Sequence, residues 1–282
     1  MARSAPQKND LMKKPPQSTD PLADLLQVAR DLRDKNGGCP WDLEQSHESL
    51  AKHLLEEASE LIEVIEHGLT PDTDEAFKEE LGDVLFQVVI HAQLAAEEGR
   101  FAFADVARTI ADKLITRHPH VYGELQVADS AQVLKNWEAI KARERARKQK
   151  RTSYLDGVPK ILPALQRAER LGEKAARTGF DWVNDRQLWE KIHEEIREFE
   201  AAESESRQRR EEELGDLLFA LAQYSRRQGI DAEGALRKAC VKFENRFRHM
   251  ELTAGEKVAA GEHLSTEEWD SLWQQAKNAT AG

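Results

Sequence analysis

Long hydrophobic runs are missing from this sequence. Nothing in the 282 residues approaches the roughly 20 apolar residues that span a bilayer, so no membrane-crossing helix is expected. Cysteine is almost absent. Cys39 and Cys240 lie in different halves without a C-x-x-C, which excludes a disulfide scaffold and a cysteine zinc site and points to a reducing cytoplasm. Aromatics make up only 6%, and glycine and proline are sparse in the long periodic stretches, so the class reads as all-α. Positive charge is in deficit, with 41 Lys and Arg against 52 Asp and Glu and a net charge of −11. That balance argues against nucleic acid or a membrane surface as partner. It leaves a nucleotide open, because metal ions neutralise both parties locally. Met1 to Asp20 is polar and carries prolines without an apolar h-region. It reads as a disordered tail rather than a secretory signal.

What the sequence does have is helical periodicity wherever it is not punctuated. The spacing predicts helices over 21–35, 47–67, 74–98, 103–117 and 129–148, with breaks at Gly37-Gly38-Cys39-Pro40, Thr70-Pro71, Gly99 and His118-Pro119. A second set falls over 161–177, 185–203, 206–228, 231–254 and 265–279, with Asp185, Asp231 and Ser265 as N-caps. The expected domains are 21–148 and 161–282, joined by a linker over 149–160. The basic stretch Arg143 to Arg151 reads as a solvated helix end, with contact to a polyanionic partner as the lesser alternative.

The two halves repeat one pattern. Glu56-Glu57-Ala58-Ser59-Glu60 is followed by Glu79-Glu80-Leu81-Gly82-Asp83. Later, Glu194-Glu195-Ile196-Arg197-Glu198 is followed by Glu212-Glu213-Leu214-Gly215-Asp216. Each copy is preceded by a tryptophan (Trp41, Trp182), followed by K-x-x-x-R (Lys113 and Arg117, Lys242 and Arg246) and closed by a second tryptophan (Trp137, Trp273). Such an ordered recurrence is the mark of a tandem repeat. On a helix, Glu57 and Glu60 flank the apolar stripe Leu54, Ala58, Leu61 and Ile65, and Glu80 and Asp83 flank Leu81, Val84 and Val88. Glu195 with Glu198 and Glu213 with Asp216 sit the same way beside Ile192, Ile196 and Phe199 and beside Leu214, Leu217 and Leu221. Helices packed through those stripes bring two acid pairs to one seam. Carboxylate oxygens in that number suit Mg²⁺ or Mn²⁺. Gly82 and Gly215 interrupt a helix at the same point of each copy, at a cost of about 1 kcal/mol relative to alanine. That suggests close approach of a backbone or a ligand.

Basic residues complete the pattern. Lys113 with Arg117, and Lys242 with Arg246, are one turn apart and share a helix face, suited to phosphate oxygens. Lys191 lies one turn before Glu195, and Arg209 precedes the second acid pair. Trp137 and Trp273 stack on a base or pack, whereas Trp41 and Trp182 are expected in the core. A di-iron bundle would need an E-x-x-H on each of two helices. Glu44-x-x-His47 and Glu190-x-x-His193 do not occupy equivalent positions. His118-Pro119-His120 reads as a helix end rather than a ligand pair.

With Gly38-Cys39-Pro40-Trp41-Asp42, both acid motifs, Arg117-His118-Pro119-His120-Val121 and Lys242-Phe243-Glu244-Asn245-Arg246-Phe247 in this order, the chain resembles the two-domain MazG family of nucleoside triphosphate pyrophosphohydrolases over residues 21–279. The resemblance implies two tandem MazG-like helical bundles that dimerise, and Mg²⁺-dependent hydrolysis of (d)NTPs to (d)NMP and pyrophosphate in clearing nucleotide pools. It implies metal ligands at Glu57, Glu60, Glu80 and Asp83 and at Glu195, Glu198, Glu213 and Asp216. Nucleotide contacts would come from Lys191, Arg209, Lys242, Arg246 and Trp273, with Lys113, Arg117 and Trp137 as their counterparts in the first copy. The inferred mechanism has one ion polarising phosphate oxygens and another acidifying the attacking water, with Glu57 or Glu195 assisting as base. Where the family often has lysine before the second acid pair, this chain has Arg209 between Gln208 and Arg210. A regulatory or interaction module that keeps its acid sites without catalysis is the alternative.

Overall fold

The computed structural model describes residues 13–130, parts of 132–144, 153–255 and 264–279. Among the described residues there are helices and no strands. The chain divides into two compact units, residues 1–145 and 146–282.

The first unit is built on α1 (Pro21–Leu32), α2 (Pro40–Glu44), α3 (His47–His67), α4 (Asp74–Glu97), α5 (Phe103–Arg117) and α6 (Pro119–Tyr122). Asp20 caps α1 by accepting from the amides of Leu22 and Ala23. Ser46 and Ser49 cap α3 reciprocally, which satisfies donors that no helical carbonyl can reach. Helix α3 ends at Gly68, whose φ of 98° favours glycine. Helix α4 packs along α3 and against α1 and α5. Leu50 of α3 meets Ile90, Leu94 and Phe86 of α4 in the core.

The second unit repeats the plan with α7 (Ala164–Ala176), α8 (Asp185–Ala201), α9 (Arg207–Arg227), α10 (Ala232–Ala254) and α11 (Thr266–Ala279). Helix α9 packs along α8 and against α7, and α10 packs on α11. Leu188 and Ile192 of α8 are fully buried. Asn184 caps α8 by accepting from Gln187, so Asp185 sits one residue inside the expected cap. Asp231 stands before α10 without a side-chain cap bond, whereas Ser265 and Glu268 cap α11 reciprocally.

Four expectations change. Residues 13–20 are not a free tail: Lys13 pairs with Asp31 and Asp34, and the Ser18 amide donates to Asp24. Within the expected linker, the turn at Ser153–Asp156 is tied to α7 by Lys174, which donates to the Asp156 carbonyl. Trp41 is 54% exposed and edge-on to His53, because the short α2 turns Asp42 inward and leaves Trp41 outside. The apolar stripes are only half used. Leu54, Ile65, Leu81 and Val88, and likewise Ile196, Leu214 and Leu221, stay exposed, so among the described residues nothing covers that side of the acid-bearing helices. Half of the helix expected over 129–148 lies outside the described residues, and the described positions from 130 to 144 are helical.

Candidate functional site

The seam between α3 and α4 collects Glu57, Glu80 and Asp83, each of which offers one carboxylate oxygen within 4.8 Å of the others. The seam between α8 and α9 collects Glu195, Glu198 and Glu213 under the same limit. Among the described residues these are the two clusters that could hold a metal ion. Glu60 and Asp216 stand exposed beside their trios rather than within them. The four-acid sets expected from the sequence thus resolve into three acids and a neighbour in each unit.

The first seam is under-neutralised. Partial burial pushes the Glu57 carboxyl above the ordinary carboxylate range, and the charges of Asp83 and Glu60 push it further, against a hydrogen bond from Gln87. Glu80 is raised in the same way, first by desolvation and then by Glu60 and Asp83. The buried Oε2 of Glu80 and Oε1 of Gln87 have no hydrogen-bond partner. Carboxylates held together with a single amide donor and no paired cation at Glu57 and Glu80, and a buried oxygen left unpaired, are what a hard divalent cation would relieve. The donor set therefore fits such an ion.

The second seam carries its own cations. Glu195 and Glu213 are only 4% and 3% exposed. Lys191 Nζ lies 2.7 Å from Glu195 and 2.6 Å from Glu194, and Arg209 Nη2 pairs with Glu213. These partners hold the Lys191 ammonium pKa above its usual value, the Glu194 bond contributing most. Their counterparts one turn before Glu57 and Glu80 are His53 and Ala76. His53 turns to Glu56 at 2.8 Å. The all-oxygen donor set fits a hard divalent cation here as well.

The remaining predicted contacts lie on the later helices. Arg246 of α10 stands over the Trp273 ring of α11 at 5.6 Å, and Phe243 packs against the same ring. In the first unit Arg117 stands 5.9 Å from the Trp137 ring and pairs with Glu144 at 2.5 Å. Lys113 and Lys242 are exposed. His118 closes α5 by bonding the Leu114 carbonyl, as a helix end does. His47 turns away from the acids to meet His91, Nδ1 to Nδ1 at 2.8 Å. Gln87 and the pairing of His53 with Glu56 are not foreseen from the motifs. Gln87 does carry a signal, as the one polar residue in the apolar run Val84 to Ile90, one turn beyond Asp83.

The model of the MazG nucleotide pyrophosphohydrolase domain matches twice, over residues 45–122 and 184–251. The chain belongs to the MazG family. It is an enzyme of that family, a hydrolase. The matched segments hold all eight acids and the predicted lysines and arginines, while Trp137 and Trp273 lie beyond them. The MazG chain is 43% identical over 256 residues to the nucleoside triphosphate pyrophosphohydrolase of Escherichia coli K12, covering 90% of this chain and 95% of that protein. It is equally similar over 254 residues to "nucleoside triphosphate pyrophosphohydrolase/pyrophosphatase MazG" of Thermotoga maritima, covering 90% and 94%. A protein of Mycolicibacterium smegmatis, also named nucleoside triphosphate pyrophosphohydrolase, is 29% identical over 284 residues, covering 94% and 74%. Among the described residues, no helix of this MazG protein is long and apolar enough to cross a membrane.

Proposed function

We propose that the chain hydrolyses (d)NTPs to (d)NMP and pyrophosphate in a Mg²⁺-dependent reaction, with Mn²⁺ able to substitute, and clears nucleotide pools in the cytoplasm. The observation that carries the reading is the second seam: three convergent acids, two of them buried, bordered by Lys191 and Arg209. The names of the relatives that match along nearly the whole chain agree with that chemistry.

Glu195, Glu198 and Glu213, with Asp216 beside them, would hold the ion. A divalent cation there supplies positive charge to phosphate oxygens and acidifies water for in-line attack on the α-phosphorus. Lys191 and Arg209 stand on the same seam to bind the phosphate oxygens left over. Glu195 is the base that would take the water proton, with Glu57 in that role in the first unit. Lys242 and Arg246 would add phosphate contacts, and Trp273 gives the base a stacking surface. Lys113, Arg117 and Trp137 would serve the first seam. Water is the nucleophile, so no serine, cysteine or histidine need be positioned.

The exposed stripes Leu81, Leu85 and Val88 and Leu214, Leu218 and Leu221 fall at matching places on α4 and α9. They support a homodimer in which a second copy covers them.

Incubation of NTPs with the purified protein and Mg²⁺, followed by separation of products, tests the reaction. NMP with pyrophosphate is expected. NDP with phosphate, or intact NTPs, would overturn it.

A further inference from the structure

The two seams share their acids and differ in their cations. In the second unit both buried carboxylates are neutralised from within. Lys191 reaches Glu195 from one turn earlier on α8, and Arg209 reaches Glu213 from one turn earlier on α9. In the first unit the equivalent positions hold His53, which pairs with Glu56 instead of Glu57, and Ala76, which has no charge.

We propose, on the reading of the second seam given above, that Lys191 and Arg209 are metal-displaceable counter-cations: they hold the acids while no metal is bound, and are handed to the phosphates of the nucleotide when one binds. A buried carboxylate left without a partner is costly, and Glu195 and Glu213 both belong to the trio that a divalent ion would engage. Ion and side-chain cation compete for the same carboxylates and repel each other. Both side chains can give way, being 38% and 50% exposed. Each also keeps a second, exposed acid as a tether. Lys191 retains Glu194 at 2.6 Å, and Arg209 retains Glu212 at 3.5 Å and Glu205 at 3.9 Å. The displacement is therefore a short swing toward solvent at the mouth of the seam. A polyphosphate arriving there meets an ammonium and a guanidinium already released from Glu195 and Glu213. Metal and nucleotide then favour each other beyond their direct contact, and the coupling is reciprocal. The first seam has no such pairs to break, so its metal binds without this competition.

The test uses full-length protein with the first seam silenced by Glu57→Gln and Asp83→Asn. Calorimetry with Mn²⁺ alone is followed by titration of an α,β-non-hydrolysable nucleoside triphosphate into the Mn²⁺-loaded protein. Lys191→Met keeps the stem and removes the charge. It should tighten Mn²⁺ binding several-fold and weaken analogue binding by about tenfold or more, while Lys191→Arg stays near the parent on both. Arg209→Met should move both affinities in the same opposed directions. A residue that merely props Glu195 would lower both affinities, and one that only touches phosphate would lower the second alone. Either pattern overturns the proposal. If instead the parent binds no Mn²⁺ that Glu213→Gln abolishes, the reading of the seam as a metal site falls, and this inference with it.

Discussion

Gln223 fills the space over Gly172. A Cβ on Gly172 would stand 1.6 Å from the Gln223 Oε1, and the Gln223 Nε2 donates to the Ala168 carbonyl at 2.7 Å. The side chain is fully buried, and its Oε1 accepts from Arg226 at 3.0 Å. The glycine thus lets α9 lie against α7, and the amide joins them. In Gly172→Ala, the buried Gln223 amide must shift and lose its bond to the Ala168 carbonyl. The expected loss is about 1–3 kcal/mol, read as an earlier denaturant midpoint. An unchanged midpoint would show that the α7–α9 contact relaxes freely.

The first seam predicts an unusual pH dependence. Glu57 and Glu80 have raised pKa values in the fold, so the folded chain holds protons that the unfolded chain has released. Between the ordinary glutamate value of 4.5 and the raised folded values, the native state therefore binds more protons. This contribution to stability is complete below that window and is lost as pH rises through it. In chelator, Glu57→Gln with Glu80→Gln should flatten this slope and melt higher than the parent near neutrality. Added Mg²⁺ should raise the parent's melting temperature and move the variant far less. Parallel pH profiles would contradict the shared-charge account.

The helices and the repeat were legible because both are local. Apolar spacing, caps such as Ser265 with Glu268 and the order of the acid motifs need no tertiary knowledge. Convergence of acids on a seam followed from i,i+3 spacing. Which three of four would converge depends on how the helices cross, and here Glu60 and Asp216 fall just outside. The apolar stripes announced a buried face without saying what buries it, so Leu81 and Leu214 were expected inside and lie exposed. Trp41 followed the same error. Its hydrophobic mass suggests a core, but a five-residue helix at the surface carries it. Gly82 and Gly215 were read as the close approach of a backbone or a ligand, and among the described residues of the chain no atom comes within 4 Å of a Cβ built on either.

The two seams should not contribute equally to turnover. Phosphate needs cations after the metal is bound, and only the second seam has Lys191 and Arg209 beside its acids. Asp216→Asn should therefore lose more activity than Asp83→Asn. Glu213→Gln, which alters a buried member of the trio, should lose at least about 100-fold. Pyrophosphate release at saturating Mg²⁺ measures all three. Equal or greater loss in Asp83→Asn would assign the reaction to the first unit.

Trp273 separates stacking from packing. Its ring meets Phe243 and the Arg246 guanidinium and is half-buried, so part of it stays open to a nucleobase. Stacking on an aromatic ring is worth roughly 1–3 kcal/mol. Trp273→Ala should raise KM by the corresponding factor with little change in kcat, and Trp273→Phe should recover most of it. A variant that melts early while keeping the parent's KM would mark the ring as packing alone.

The exposed stripe and the open glycine make a joint prediction about assembly. Leu214, Leu218 and Leu221 recur one turn apart along α9 and are exposed, with Gly215 among them. Leu218→Asp places a charge in the middle of the stripe and should convert the proposed dimer to monomer in light scattering, with Leu85→Asp acting likewise on α4. Gly215→Ala discriminates more finely. Within one chain its methyl meets open space, and alanine is the better helix former by about 1 kcal/mol, so a lone chain should gain stability. If a second copy lies over that face, the methyl would hold the helices apart, and the variant should dissociate at higher concentration than the parent. A more stable Gly215→Ala protein with unchanged mass would mean that nothing approaches α9 at that point.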